Sequence, residues 1–345
     1  MKSSSDKVKE YLEKVEPHFS GIRMASSFSL YSGEFPTSGN IQFSGVSKAF
    51  KTKFNLDNKQ TFIHYTSIDT MVNIINTKNI RMYNCANLND SLEMEFALKE
   101  QSFQISKEDL QSFKDYTFLL SGCKYNVAEN DEDFSMWRFY GNSGKGVGMV
   151  FEIENVADDW QGAFMNDVYY GKKNEQFKDF LRFLDFHNDF QKENQLFQNI
   201  PYFIPAYAFL FKDEIWSVEK EIRLFAYCGF DKYFTKNHLA NVEENPYLNK
   251  RIEHGINGSG KAVSYVNLPL NINEEKEKIG NSRLTKEEMR SFFSTLPHLK
   301  LKRIVLGYDI PEKTFNNLVN YIHFVAVNKL GYSIDIVPSR LKESL

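Results

Sequence analysis

The stretch TFIHYTSIDTMVNIINTKNIRMYN, residues 61–84, decides the fold class. It opens with TFIHYT, residues 61–66, a β-branched and aromatic run that predicts a short strand. Ser67 then caps a helix whose apolar residues, Ile68, Met71, Val72 and Ile75, recur at i, i+3, i+4 and i+7. Ile80, Met82 and Asn84 alternate with Arg81 and Tyr83, the period of a second strand.

Toward the N-terminus, residues 5–16 predict an amphipathic helix with Val8, Tyr11, Leu12 and Val15 on one face. Residues 20–60 are rich in Ser, Gly and Phe and hold no sustained period. They read as an irregular extension with one or two short strands. Toward the C-terminus, Asp90 and Glu93 form a D-x-x-E helix start running to about Lys99, and another helix follows Ser106. YTFLLSGC (116–123), GVGMVFEI (146–153), 167–170 and VEKEIRLFAY (218–227) read as strands. FSMWRFY (134–140) reads as a short aromatic helix or turn. Residues 174–212 read as a long helical stretch whose Phe177, Phe180, Phe183, Phe186 and Phe190 pack a core. Residues 229–260 are polar, Asn-rich and loop-like. Strands follow at 263–268 and 303–306, then a helix from Pro311 to about Asn328 and a closing strand at 332–337. Strands and helices mix without a βαβ rhythm, so the class is α+β, not a doubly wound sheet. The expected organisation is an N-terminal extension over 1–60 and one domain over 61–345, with insertions near 174–212 and 229–260.

Composition narrows the function. The chain has 345 residues and a net charge of −3, with 42% hydrophobic and 25% charged residues, as in folded globular proteins. Near-neutral charge argues against a protein that coats nucleic acid generally. Its 31 Phe and 18 Tyr, beside abundant Asn, Lys and Ile, reflect AT-biased codon usage and core packing more than a stacking surface. The first residues hold four lysines but no apolar run, so no secretory leader or membrane span is expected, and the expected compartment is the cytoplasm. Cys85, Cys123 and Cys228 form no CxxC pair, the histidines show no metal spacing, and Lys145 is followed by Gly146, so no Walker A loop exists there. Gly141, Gly144, Gly146 and Gly148 read as a turn leading into a strand. No metal is expected.

Two strands carry polar groups a plain core would not hold. His64 lies near the end of TFIHYT, where a strand can present a side chain and backbone groups to a ligand; a satisfied structural histidine fits as well. In VEKEIRLFAY, period 2 puts Glu219, Glu221, Arg223 and Phe225 on one face. Such charges need solvent or mutual pairing. A structural Arg223–glutamate network and a cleft-facing carboxylate are both open on these residues.

Four segments, FIHYTSIDTMVNII, NCANLNDSLE, SMWRFYGNSGKGVGMVFEI and IWSVEKEIRLF, resemble in that order a bacterial family known as domain of unknown function 2971. KRIVLGYDIP looks like that family's late strand, so the likeness covers about residues 60–340. That family is remotely similar to ADP-ribosyltransferases. HYT-S-I-D looks like the H-x-T opening of diphtheria-type members, and closer still like DNA-modifying toxins of toxin–antitoxin modules. Glu219-Lys220-Glu221 looks like the E-x-E strand of arginine-specific members. The middle-strand element corresponds to Ser121 or Tyr140.

The resemblance implies an ADP-ribosyltransferase-like split mixed β-sheet and NAD as substrate. Cleaving the nicotinamide–ribose bond builds an oxocarbenium-like cation, which an adjacent carboxylate stabilises as it develops. Glu221 is expected to face that cation and hold a ribose hydroxyl, and Glu219 to orient or deprotonate the acceptor. His64 would bond a ribose hydroxyl, the backbone of Tyr65 would grip the nicotinamide amide, and Thr66 would support the strand end. Trp137 or Tyr140 would stack on the nicotinamide ring, and Arg223 or Arg81 would meet the pyrophosphate. The acceptor is open: protein, nucleic acid or small molecule. Bacterial proteins resembling these transferases act as toxins or phage-defence effectors. The competing expectations are a non-catalytic nucleotide- or partner-binding module, and a metal-dependent hydrolase or nuclease using Asp90, Glu93, Glu219 and Glu221.

Overall fold

The computed structural model describes residues 4–15, 17–20, 25–26, 41–42, 51–52, 56, 61–87, 93–99, 107–129, 131–154, 163–194, 207–227, 252–257, 260–270 and 297–343. Ten strands form one mixed sheet. They are β1 (Thr61–Thr66), β2 (Asn79–Asn84), β3 (Thr117–Lys124), β4 (Val147–Ile153), β5 (Ala163–Asp167), β6 (Glu221–Tyr227), β7 (Ile252–Ile256), β8 (Ala262–Pro269), β9 (Leu299–Leu306) and β10 (Asp335–Pro338). The order is β7-β8-β2-β3-β1-β4-β9-β10, with β6 along the other edge of β3 and β5 beyond it. β9 and β10 run parallel, and the other neighbours are antiparallel. Among the described residues the α-helices are α1 (Ser4–Val15), α2 (Ile68–Thr77), α3 (Glu93–Lys99), α4 (Lys107–Tyr116), α5 (Phe134–Phe139), α6 (Glu175–Asn194) and α7 (Glu312–Leu330). The chain is thus α+β with an open mixed sheet. None of the described helices is long and apolar enough to cross a membrane.

β1, α2 and β2 form where their periods place them. Ser67 caps α2 by accepting from the Thr70 N–H, and Lys78 closes it in the left-handed region. Met71, Ile74 and Ile75 of α2, with Ile322 and Val325 of α7, cover one face of the sheet against Phe62, Phe118 and Leu224. The opposite face meets Phe177, Phe180 and Phe183 of α6, which pack with Leu119, Phe164 and Phe225. The phenylalanine repeat is therefore core, each buried ring contributing roughly 1.5–3 kcal/mol. A third cluster sets Trp137 and Met136 of α5 against Ile63 and Tyr65 of β1.

Several boundaries differ from expectation. Within the long helical stretch expected over 174–212, the described helix α6 covers Glu175–Asn194, residues 195–206 lie outside the described residues, and Phe211–Lys212 is a short strand parallel to Tyr169–Tyr170. The strand expected from Val218 starts at Glu221. Glu214–Glu219 is a 3₁₀ turn capped by Asp213, and Lys220 at φ 43° breaks the extended run. Of the loop expected over 229–260 only residues 252–257 and 260 are described, and they hold strand β7, paired to β8. The closing strand begins at Asp335, not Tyr332. Asp90 and most of the extension over 20–60 lie outside the described residues; of that extension Ser20, in the two-residue strand Phe19–Ser20, the two-residue strands Ala25–Ser26, Ile41–Gln42 and Lys51–Thr52, and residue 56 are described.

α1 docks on α6 through a buried polar pair. The Tyr11 hydroxyl and His187 Nδ1 lie 2.7 Å apart, and Tyr11 packs on Phe186 and Phe190. Burial lowers the His187 pKa to about 4. The imidazole is neutral in the fold but titrates near 6.5 once unfolded. Stability is complete above pH 6.5 and is lost as pH falls toward 4. Thermal midpoints between pH 7 and 4.5 should fall more steeply for the wild type than for His187→Gln; parallel slopes would refute this origin.

Candidate functional site

The sheet opens at β3. Along one edge β3 pairs with β6 from Thr117 to Cys123. Its other edge is shared: β2 pairs at Phe118 and Leu119, and β1 pairs at Cys123 and Lys124. Leu120, Ser121 and Gly122 border the gap between them. At its apex a Cβ on Gly122 would lie 2.4 Å from the Phe62 ring, so only glycine lets β1 and β3 meet there. β1 then stays with β4 through Thr66 while β3 departs.

That departure exposes backbone. The Tyr125 N–H donates to Thr61 O at 3.2 Å, so Thr61 turns its polar groups toward β3. Alternation turns Ile63 and Tyr65 the same way. Tyr65 lies past the last residue of β1 that pairs with β3, so its N–H and C=O face the gap.

His64 spans it. Its Nδ1 lies 3.0 Å from Ser121 O. A carbonyl only accepts, so Nδ1 carries the proton and Nε2 is an acceptor. Burial lowers the His64 pKa, partly opposed by that bond, which keeps the ring neutral near pH 7.

On the far side lies an ionic quartet. Arg223 clamps Glu221 in a fork, Nε to Oε1 at 2.7 Å and Nη2 to Oε2 at 3.0 Å. Its Nη1 is anchored on Phe209 O at 2.6 Å. Lys212 Nζ reaches Glu219 Oε2 at 2.6 Å and Glu221 Oε2 at 3.0 Å. The Tyr140 hydroxyl donates to Glu219 Oε1 at 2.6 Å. All four charged side chains are buried. Burial pushes the Glu221 carboxyl up, but Arg223 and Lys212, with hydrogen bonds from Arg223 and Ser121, outweigh it and hold the pKa at about 2. Burial and the two glutamates keep the neighbouring Cys123 a neutral thiol.

Both sides line one cavity of about 940 Å³. Drug-sized ligand and cofactor sites span roughly 300–1,000 Å³. Its walls hold His64, Tyr65, Arg81, Tyr140, Glu219, Glu221 and Arg223, together with Thr70, Asn73 and Thr77 of α2. Seven of the nine residues given a part in NAD binding or turnover, and Ser121 of the middle strand, therefore meet in one place. The other two do not. Trp137 is fully buried, edge-on to Tyr65 at 4.9 Å, with its indole N–H on Glu132 at 2.8 Å, so it cannot stack on a ligand. Thr66 is buried at the end of β1 opposite Val147. Glu219 shares the cavity from the 3₁₀ turn, not from the strand face predicted for it. Arg223 is committed to Glu221 and Phe209. Arg81 lies over the Tyr265 ring at 4.0 Å and, among the described residues, makes no ion pair. Of the two arginines it is the one placed to take an anion.

The helix α5, which Tyr140 caps, is held from behind. Trp137 and Tyr308 meet edge to face, Phe134 stacks on Tyr308 at 5.6 Å, and Gly144 lies against that ring at φ 85°. A Cβ at Gly144 would meet Tyr308 at 2.4 Å, so the glycine-rich turn buttresses α5.

Sequence reading missed Lys212 and Trp216, whose ring lies 5.5 Å from the Lys212 ammonium. The signals were a lysine closing the apolar run YAFLFK and the tryptophan inside the segment IWSVEKEIRLF. Among the described residues no three His, Cys, Asp or Glu side chains gather as a metal would need.

Residues 136–224 are similar to the family described as Protein of unknown function (DUF2971). That stretch carries Tyr140, Lys212, Glu219, Glu221 and Arg223, and it excludes β1. No curated protein and no solved structure matches the chain.

Proposed function

We propose that the gap between β1 and β3 is an NAD-splitting site and the chain an ADP-ribosyltransferase. One observation carries the reading: His64 and Glu221, remote in sequence, line the same cavity where the sheet parts. The ribose hydroxyl donates to His64 Nε2. The Tyr65 N–H and C=O complement a carboxamide, which offers one acceptor and two donors. The Tyr140 ring, partly exposed, stacks on nicotinamide, and Arg81 takes the pyrophosphate. The glycosidic C–N bond breaks with its electron pair leaving on neutral nicotinamide. Glu221 stabilises the ribosyl cation that remains. The acceptor attacks C1 of that ribose and its proton passes to Glu219.

His64→Ala removes one ribose contact without touching the quartet. NAD affinity by calorimetry should fall about tenfold, the cost of a hydrogen bond in a buried site. Unchanged affinity would remove His64 from the site.

A second reading, a binding module that recognises a nucleotide without cleaving it, is favoured by the Arg223 fork, which occupies both oxygens of Glu221. Nicotinamide release separates the two. The metal-dependent reading has less support: Glu219 and Glu221 are engaged by cations of the chain, Asp90 lies outside the described residues, and of Glu93 only the backbone is described.

A further inference from the structure

We propose that Lys212 is a phosphate-triggered latch on Glu221, so that only a ligand carrying phosphate frees this carboxylate. This rests on reading Glu221 as the ribose-gripping group. A carboxylate has about four acceptor positions. Those of Glu221 receive Arg223 Nε, Arg223 Nη2, Lys212 Nζ and the Ser121 hydroxyl. A ribose hydroxyl therefore needs one of these donors to leave. Arg223 is 1% exposed and pinned on Phe209 O. Ser121 is set in the middle of β3, opposite Arg223 in register. Lys212 carries its ammonium on a flexible four-carbon stem that lines the cavity. It is the donor able to turn, and a phosphate in the cavity is the partner that outcompetes a shared carboxylate contact.

The exchange has a catalytic sense. With Lys212 on the carboxylates, Glu219, Glu221, Lys212 and Arg223 sum to zero charge. Once its ammonium moves to a phosphate, the two glutamates face the ribose with only Arg223 to balance them. Negative potential then rises beside the centre where positive charge develops. A riboside without phosphate leaves the latch closed.

The test uses inorganic pyrophosphate as the probe and needs no turnover. Calorimetry on the full chain should show pyrophosphate binding that weakens about tenfold in Lys212→Met and persists in Lys212→Arg. Because Lys212→Met leaves two buried carboxylates short of a cation and risks unfolding, the wild type is also followed by lysine-side-chain ¹⁵N NMR. The Lys212 ammonium resonance should shift on adding pyrophosphate. Absence of pyrophosphate binding by the wild type, equal binding by folded Lys212→Met, or an unmoved ammonium signal would each overturn the latch. If pyrophosphate behaves as expected while NAD releases no nicotinamide, the latch stands and the transferase reading fails.

Discussion

Arg223→Met is expected to destabilise the fold by about 3–5 kcal/mol, enough to unfold much of the protein at moderate temperature. The methionine fills a similar volume, so little of the loss is packing. It arises because Glu221 keeps a buried charge after losing a two-point clamp, and because Phe209 O loses its donor. Lys212 alone cannot compensate, since it is shared with Glu219. Part of the stability should return at low pH. The Glu221 pKa, held near 2 with Arg223 present, rises once the arginine is gone, so protonation in mild acid removes the stranded charge. In the wild type the sign is opposite: Glu221 adds stability above the unfolded carboxyl range near 4.3, and this is lost as pH falls toward 2. Urea melts at pH 7 and pH 5 would check the variant's recovery, and a further wild-type melt at pH 3 would check the wild-type loss. A loss below about 1 kcal/mol would mean the fork contributes little.

The second large effect concerns chemistry. Glu221→Gln keeps the side chain's size and one acceptor oxygen but removes the charge that faces the ribosyl cation. Nicotinamide release should fall by roughly 10³-fold, the scale of losing a preorganised electrostatic group. The variant also turns the Arg223 fork onto a neutral amide and leaves Glu219 as the carboxylate facing Lys212, so some stability is lost. Rates should be taken well below its melting transition, with folding checked by circular dichroism. A folded Glu221→Gln protein with full activity would remove this residue from the mechanism.

How far these features were legible in sequence depended on whether they were local. β1, α2 and β2 were readable because Ser67, the Ile68–Ile75 stripe and the Ile80–Met82 alternation each decide a short segment on their own. VEKEIRLFAY misled because alternation looked continuous. The left-handed turn at Lys220 is invisible in residue type, since lysine rarely adopts it and tertiary contacts impose it. Glu219 nonetheless reaches the cavity, because Lys212 and Tyr140 hold its carboxylate. Trp137 illustrates the opposite limit. Its place in a motif suggested a ligand contact, whereas the structure spends its ring on Tyr65 and its N–H on Glu132. Lys212 had no motif at all. Its role depends on a short strand pairing with Tyr169–Tyr170, a contact that no local period encodes.

Incubation of the purified chain with NAD labelled in the nicotinamide ring tests the account most directly. Release of free label by the wild type, reduced in folded His64→Ala and nearly abolished in folded Glu221→Gln, is the predicted result. No release by the wild type, while NAD still binds, would contradict the transferase reading and leave the cavity a binding site.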